Sequence, residues 1–315
     1  MIETIDCRYT MDRYAAAYLM VHEGHGAFID NNTAHAVPLM LEALTRRGLS
    51  PEQVDYVIIT HVHLDHAGGS SALMKACPNA KLVAHPRAAR HVIDPSKLVA
   101  SAEQVYGKER FRELYGLIEP IAEERVIIME DGERLDFRGK GLRFLHTRGH
   151  ANHHFVIHDP SDAVVFTGDA FGLAYPDLAD EGTFAFPSTS PTDFDAGLAR
   201  AAVQRILDTG AGTAYLTHFG ALRELETAAA QLTHHLDAHE KIMEAAYRDN
   251  GLSDERLYEA ILPELKAHFE RSLAGRRIAN DPGAWDRLAM DIDLNAQGLA
   301  FVAAKRRKKD REAQA

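Results

Sequence analysis

The chain has 315 residues, 46% of them hydrophobic, and a formal net charge of −11. This length is enough for one large core with an appended region. The acidic balance gives no reason to expect nucleic acid or an anionic membrane as a partner, and we predict neither. Its two cysteines cannot form the disulfide framework of a secreted protein, and the first residues do not resemble a signal peptide. We therefore expect a cytoplasmic protein.

Strand and helix patterns alternate through the first two thirds of the chain. Residues 18–31 have the pattern of a hairpin, and the β-branched run 54–60 predicts a buried strand. Further strands are predicted at residues 81–85, 125–129, 142–147, 153–159, 163–169 and 213–218, and helices at 34–47, 66–76, 97–118 and 192–208.

The pattern changes after residue 221. From there to the C-terminus we find no strand pattern, and three helical segments are predicted near residues 222–248, 254–273 and 284–304. We predict two domains, one over 1–221 and a helical region over 222–315. The basic run Lys305–Lys309 is interpreted as a solvated tail.

Several predicted strands end in polar residues that carry titratable groups. The ends are Thr60-His61, Thr147 to His150, Gly168-Asp169 and Thr217-His218. Ligand sites in sheet proteins gather at strand ends, because loops there present side chains from a rigid base.

The segment "HVHLDH", residues 61–66, is the strongest of these signals. His61 and His63 face the same side of an extended segment, whereas Asp65 and His66 lie beyond the bend, where a helix begins. Imidazole and carboxylate are the ligands that zinc and other first-row divalent ions prefer. The alternative is a histidine-rich surface loop, but such a loop would not follow a buried strand so closely.

This segment resembles the signature of the metallo-β-lactamase superfamily. Three more motifs occur in the expected order: "TRGHANHH" with His150, "VFTGDA" with Asp169 and "YLTHFG" with His218. The resemblance covers roughly residues 1–220. It implies an α/β (α+β) fold, a four-layer αββα sandwich, for a catalytic domain over 1–221, here with an all-helical C-terminal extension. By the same resemblance, the extension over 222–315 is expected to cap the site or to mediate formation of a homodimer.

The resemblance also implies a ligand set for two divalent metal ions, of which zinc is the first expectation, with iron or manganese as alternatives. One ion would be held by His61, His63 and His150, and the second by Asp65, His66 and His218, with Asp169 between them. The family chemistry implies a metal-bridging hydroxide as the nucleophile, with Asp65 and Asp169 as the catalytic carboxylates.

Other residues near these motifs have open roles. Asp30 is predicted either to support the ligands from behind or to serve a turn, and His154 is predicted to support the ligands rather than bind metal. His153 is predicted to be structural. The adjacent pair His234 and His235 lies in a predicted helix, where neighbours point apart, so we predict no chelate there.

The loop after Asp169 is rich in aromatic residues. They are predicted either to line a substrate pocket or to anchor a long loop to the core. The residues concerned are Phe171, Tyr175, Phe184 and Phe186, and Phe219 beside His218 is a further candidate for substrate contact.

The sequence favours a hydrolase that cleaves a small ester, thioester or lactone. One alternative is a di-iron or mono-iron redox enzyme on the same fold, although no flavin domain is visible. A second is a nuclease, which the acidic balance disfavours. A non-enzymatic sensor with a vestigial metal site is a third, which the intact ligand set disfavours. The expected partner is a small-molecule substrate.

Overall fold

A computed structural model describes residues 1–189 and 193–314. The chain divides into two compact units. The first unit contains residues 1–146, 153–168 and 206–223, and the second contains 147–152, 169–205 and 224–315. The second unit therefore contains two segments of the predicted domain 1–221, residues 147–152 and 169–205, in addition to the C-terminal helices.

Two six-stranded sheets form the centre of the first unit. The strands of the first sheet, in spatial order, are β1 Ile2–Asp6, β2 Ala16–His22, β3 His25–Ile29, β4 Val54–Ile58, β5 Lys81–Ala84 and β6 Val126–Ile128. The second sheet runs, from one edge to the other, through β7 Arg134–Phe137, β8 Lys140–His146, β9 Phe155–Asp159, β10 Val164–Gly168, β11 Thr213–Leu216 and β12 Gly220–Leu222. Pairing is parallel from β3 to β6 and between β10 and β11, and antiparallel elsewhere.

Each strand of the first sheet contributes to two separate cores. In β2, Ala17 and Leu19 pack among the helices, whereas Tyr18 and Met20 pack between the two sheets. This division follows from the alternation of side chains along a strand. The Tyr18 hydroxyl also donates a hydrogen bond to the Leu216 carbonyl, which ties β2 to β11.

Short helices follow the strands of the first sheet. They are α1 Val37–Arg46, α2 Leu64–Ala67, α3 Ser70–Ala76, α4 Pro86–Ile93, α5 Ser96–Tyr106 and α6 Lys108–Tyr115. The predicted helix 97–118 is wrong in one respect, because Gly107 adopts a φ of 76° and separates α5 from α6.

The second unit is mainly helical. Three long helices, α8 Leu225–Arg248, α9 Leu257–Leu273 and α10 Pro282–Gln314, pack against one another and confirm the predicted C-terminal helices. The interpretation of Lys305–Lys309 as a solvated tail is wrong, because the run lies within α10 and the Arg307 guanidinium donates to the Leu252 carbonyl. The preceding helix, α7 Ala196–Leu207, belongs to this unit as far as Arg205; residue 192 of its predicted span lies outside the described residues. None of the described helices has both the length and the apolar content needed to cross a bilayer.

Candidate metal centre

Five of the seven predicted ligands lie in the first unit, just beyond the ends of its central strands. His61 and His63 follow β4, Asp65 and His66 are in α2, and His218 follows β11. Strands β3, β4 and β11 all end at this edge of their sheets. Two hydrogen bonds join the strand ends: the Asp30 backbone donates to the Ile58 carbonyl, and the Thr217 hydroxyl donates to the Asp30 carboxylate. The structure therefore brings these five residues together.

His61 and His63 form the first pair. Their ring nitrogens, Nε2 of His61 and Nδ1 of His63, are 2.9 Å apart, and the ring centroids are 4.4 Å apart. The other nitrogen of His61 lies 3.2 Å from the Thr60 hydroxyl. Both rings thus direct a nitrogen to one point, as the alternation of an extended segment predicts.

Asp65, His66 and His218 form a second group. Oδ2 of Asp65 lies 3.8 Å from Nε2 of His66 and 3.4 Å from Nε2 of His218. One donor atom from each of the three residues lies within 4.8 Å of the others. Both imidazoles are buried, whereas the Asp65 side chain is 29% exposed. Solvent therefore reaches this group at Asp65.

The two imidazoles of this group are each held through their second nitrogen. Nδ1 of His66 donates to Oδ2 of Asp30 at 2.8 Å, and Nδ1 of His218 donates to the Tyr14 carbonyl at 2.8 Å. These bonds fix the tautomer and leave both Nε2 atoms directed at Asp65. Metal-binding histidines are typically oriented in this way.

Asp30 connects the ends of three strands behind this group. Its carboxylate is fully buried and accepts hydrogen bonds from the backbone and hydroxyl of Thr60 and from the hydroxyl of Thr217, in addition to the bond from His66. These hydrogen bonds fix the orientation of the His66 ring and join the three strand ends.

Two further histidines surround His61. His154 is buried, and its ring lies 4.9 Å from that of His61. Its Nε2 also lies close to Gly168: a Cβ added to this glycine would be 2.6 Å from it. His153 stacks on His61 at 6.0 Å and accepts a hydrogen bond from the Val62 backbone at 3.4 Å. The sequence did not reveal this contact of His153, because it depends on a backbone bend after residue 152.

His150 and Asp169 belong to the second unit. Nε2 of His150 lies 3.5 Å from Oδ2 of Asp169, both side chains are buried, and Nδ1 of His150 donates to the Ser188 carbonyl at 3.3 Å. They border a small cavity of about 20 Å³ that also has aliphatic walls, among them Val203 and Leu232. As in the group around Asp65, an imidazole Nε2 and a carboxylate oxygen face each other.

The aromatic residues predicted for a substrate pocket are buried in the second unit. None of Phe171, Tyr175, Phe184 and Phe186 is more than 4% exposed. Phe186 packs edge-on against Phe269 of α9 at 5.4 Å, and the Arg287 guanidinium lies over the Tyr175 ring. Phe219, in the first unit, packs against the core between the sheets. This is the packing expected of a loop anchored to the core, which was the second of the two predictions.

The strand-end motifs therefore supply imidazole nitrogens, several of them oriented by a second hydrogen bond, and neighbouring carboxylates that could hold a divalent metal ion. A family model for the metallo-beta-lactamase superfamily matches residues 11–218. The chain belongs to this superfamily.

Relatives of this superfamily member share its fold or part of its sequence. The structure of TTHA1429 from Thermus thermophilus aligns with 98% of this chain and 93% of its own, at a TM-score of 0.62 and 21% identity. The metallo-beta-lactamase fold-containing protein ST1585 of Sulfurisphaera tokodaii is 32% identical over 39% of this chain and 47% of its own length. A hydroxyacylglutathione hydrolase of Aeromonas salmonicida is 26% identical over 48% of this chain and 44% of its own.

An atrochrysone carboxyl ACP thioesterase of Pseudocercospora fijiensis is 24% identical to this superfamily member over 66% of this chain and 48% of its own length. The chain thus spans about half the length of the curated relatives it matches. The fold comparisons confirm the predicted sandwich class of fold.

Proposed function

We propose that this protein is a binuclear metal-dependent hydrolase that cleaves a small ester, thioester or lactone. The observation that carries the proposal is the position of the Asp65 carboxylate, partly exposed between two imidazoles that Asp30 and the Tyr14 carbonyl hold in place. Groups that served only packing would not need a charged network behind them.

In this proposal all seven predicted ligands serve one centre. His61, His63 and His150 would hold one ion, Asp65, His66 and His218 would hold the other, and Asp169 would be shared. The chain itself supports the grouping. Gly168, one residue before Asp169, packs closely on Thr60, and His153, three residues after His150, stacks on His61. Three residues span at most about 11 Å.

The donor set suits zinc first, because imidazole nitrogens outnumber carboxylates, although iron and manganese accept the same ligands. Two such ions, when bound, would lower the pKa of water toward neutrality and so supply a hydroxide nucleophile. The partly exposed Asp65 carboxylate would take up the proton that water loses when it forms this hydroxide, and would return that proton to the leaving group.

The names of two relatives support an acyl substrate. One is a hydrolase of hydroxyacylglutathione and the other is a thioesterase. We therefore place thioesters first among the three substrate classes, and a small molecule rather than a macromolecule as the partner of the site.

The experiment is a substrate panel assayed with the zinc-loaded protein and with the Asp169→Ala variant. We expect turnover of at least one thioester, ester or lactone by the wild type, and loss of both turnover and bound zinc from the centre in the variant. Full activity in a metal-free Asp169→Ala protein would overturn the proposal. Oxygen consumption by iron-loaded protein, with no hydrolysis anywhere in the panel, would replace it with the redox alternative.

A further inference from the structure

A second histidine cluster lies in the helical region of the second unit, outside the motifs described above. His235 and His239 are on α8, and His268 is on α9. We call these three residues the helical cluster. They are at most 4% exposed. Histidine is seldom buried in groups, because each ring carries two polar nitrogens that need partners.

The two histidines of α8 share its buried face. They are four residues apart, so they lie on the same side of the helix, one turn from each other. Leu232, Leu236 and Met243 line the same buried face. His234 is exposed, with its ring 5.6 Å from that of His268, and the arrangement the sequence missed is that of His235 with His239.

The three rings converge on one point. Nδ1 of His235 lies 2.8 Å from Nε2 of His268, and one ring nitrogen of each residue lies within 4.8 Å of the other two. Neither ring nitrogen of His239 has a hydrogen-bond partner among the described residues, although its side chain is fully buried. Leaving two polar atoms of one ring without partners is unfavourable, unless something else occupies the place they face.

The surroundings of the cluster keep the imidazoles neutral. Burial, together with the neighbouring imidazoles, lowers the pKa of His239 to about 3 and the pKa of His268 to about 4, and it lowers that of His235 as well. Phe269 stacks on His235 at 5.4 Å and Phe184 meets it edge-on at 5.6 Å, which limits the motion of the ring.

We propose that His235, His239 and His268 bind a zinc ion that holds α8 and α9 together. Three neutral imidazoles are a ligand set that zinc accepts, with one position left for a solvent molecule. The absence of a carboxylate from these three ligands disfavours magnesium, calcium and manganese. The role is structural, because the cluster is closed to substrates, and the proposal does not depend on the hydrolase activity.

The test counts zinc in the full-length protein after removal of loosely bound metal. The variants are His239→Leu, which removes both orphan nitrogens at similar volume, and His234→Leu, a matched change at the exposed neighbour. We expect His239→Leu to lose one zinc per chain relative to the wild type while it retains hydrolase activity, and His234→Leu to lose none. An unchanged zinc count in His239→Leu would overturn the proposal.

Thermal unfolding gives a second readout of the same variants. If the proposal is right, zinc raises the melting temperature of the wild type by more than that of His239→Leu. If the cluster only packs, His239→Leu raises the melting temperature equally with and without zinc, because it removes unpaired polar atoms, and that result contradicts the proposal.

A converse variant guards against failure of His239→Leu to fold. In the triple variant with His61→Ala, Asp169→Ala and His218→Ala, each ion position of the metal centre loses two of its proposed ligands, whereas the helical cluster is intact. We expect it to bind a cobalt probe with the visible absorption bands of a four-coordinate site, and to retain one zinc per chain. Binding of neither ion by this folded variant would overturn the proposal.

Discussion

The two histidine clusters of this chain differ in what lies behind each imidazole. In the first unit, His66 and His218 each donate a hydrogen bond from Nδ1 to an oxygen, and a carboxylate stands open to solvent in front of them. In the helical cluster, His239 has no hydrogen bond among the described residues and all three rings are sealed among aliphatic and aromatic side chains.

If both proposals hold, this difference is the one between a reactive metal site and a structural one. Oriented ligands, a mixture of nitrogen and oxygen donors and access for solvent suit chemistry, whereas closed sites with nitrogen donors suit stability. If the comparison holds, changes to the first cluster affect turnover, and changes to the second affect only zinc content and unfolding.

The largest expected effect is on Asp65. In Asp65→Asn, the side chain keeps its size but loses the charge that binds metal and takes up a proton. We expect turnover to fall by about 10²–10⁴-fold, the range typical for loss of an acid–base group. Steady-state kinetics with a thioester checks this, and Glu124→Gln, an exposed acid in the same unit, is the control. Activity within a factor of two of the wild type would contradict a role of Asp65, and of the first cluster, in turnover.

The next effect concerns the support behind the ligands. Asp30→Ala removes the acceptor for His66, Thr60 and Thr217 and leaves their buried donors without it. We expect zinc affinity of the centre to fall by about 10–100-fold. Competition with a chromophoric chelator measures this. A variant with unchanged affinity would show that Asp30 serves only the turn, which was the alternative drawn from the sequence.

A smaller effect tests how closely the strand ends must pack. Gly168 has a φ of 49°, and a Cβ there would lie 2.6 Å from His154 Nε2 and 2.7 Å from Thr60 Oγ1. We expect Gly168→Ala to destabilise the fold by about 2 kcal/mol, or roughly 30-fold in the unfolding equilibrium. The matched change Gly212→Ala meets only the Ala163 carbonyl, at 4.0 Å, and should have little effect in urea denaturation.

The smallest expected effect is kinetic. When a chelator is added to the zinc-loaded protein, the ions beside the partly exposed Asp65 should leave first, together with activity. Zinc in the helical cluster should leave more slowly, by a factor of up to about ten, because its release requires local opening of buried helices. Stopped-flow detection of released zinc checks the order. Simultaneous loss of every ion would remove the distinction between the two clusters.

The sequence predicted much of the first cluster because its residues are concentrated. His61, His63, Asp65 and His66 lie in six positions after a β-branched strand, so strand alternation alone indicates which side chains meet. The C-terminal helices were predicted from hydrophobic patterns and the fold class from the resemblance of the motifs, and both predictions are confirmed. The shared centre with His150 and Asp169 stays a prediction.

What the sequence could not give depends on tertiary contacts. The helical cluster needs α9 to place His268, 29 residues after His239, against the face of α8, and only the spacing of His235 and His239 hinted at it. The burial of the aromatic loop around Phe184 is of the same kind, because an aromatic residue in a loop packs equally well against a substrate or a core. A single glycine, Gly107, decided between one helix and two.

The most direct test of the metal centre is an anomalous difference map, recorded at the zinc absorption edge from crystals grown with zinc. The account predicts strong peaks contacted by Asp65, His66 and His218 and by His61 and His63, with His150 and Asp169 completing both coordination spheres. Ordered side chains at these positions with no anomalous peak, or a zinc-free centre with His150 and Asp169 turned away from it, would contradict the account.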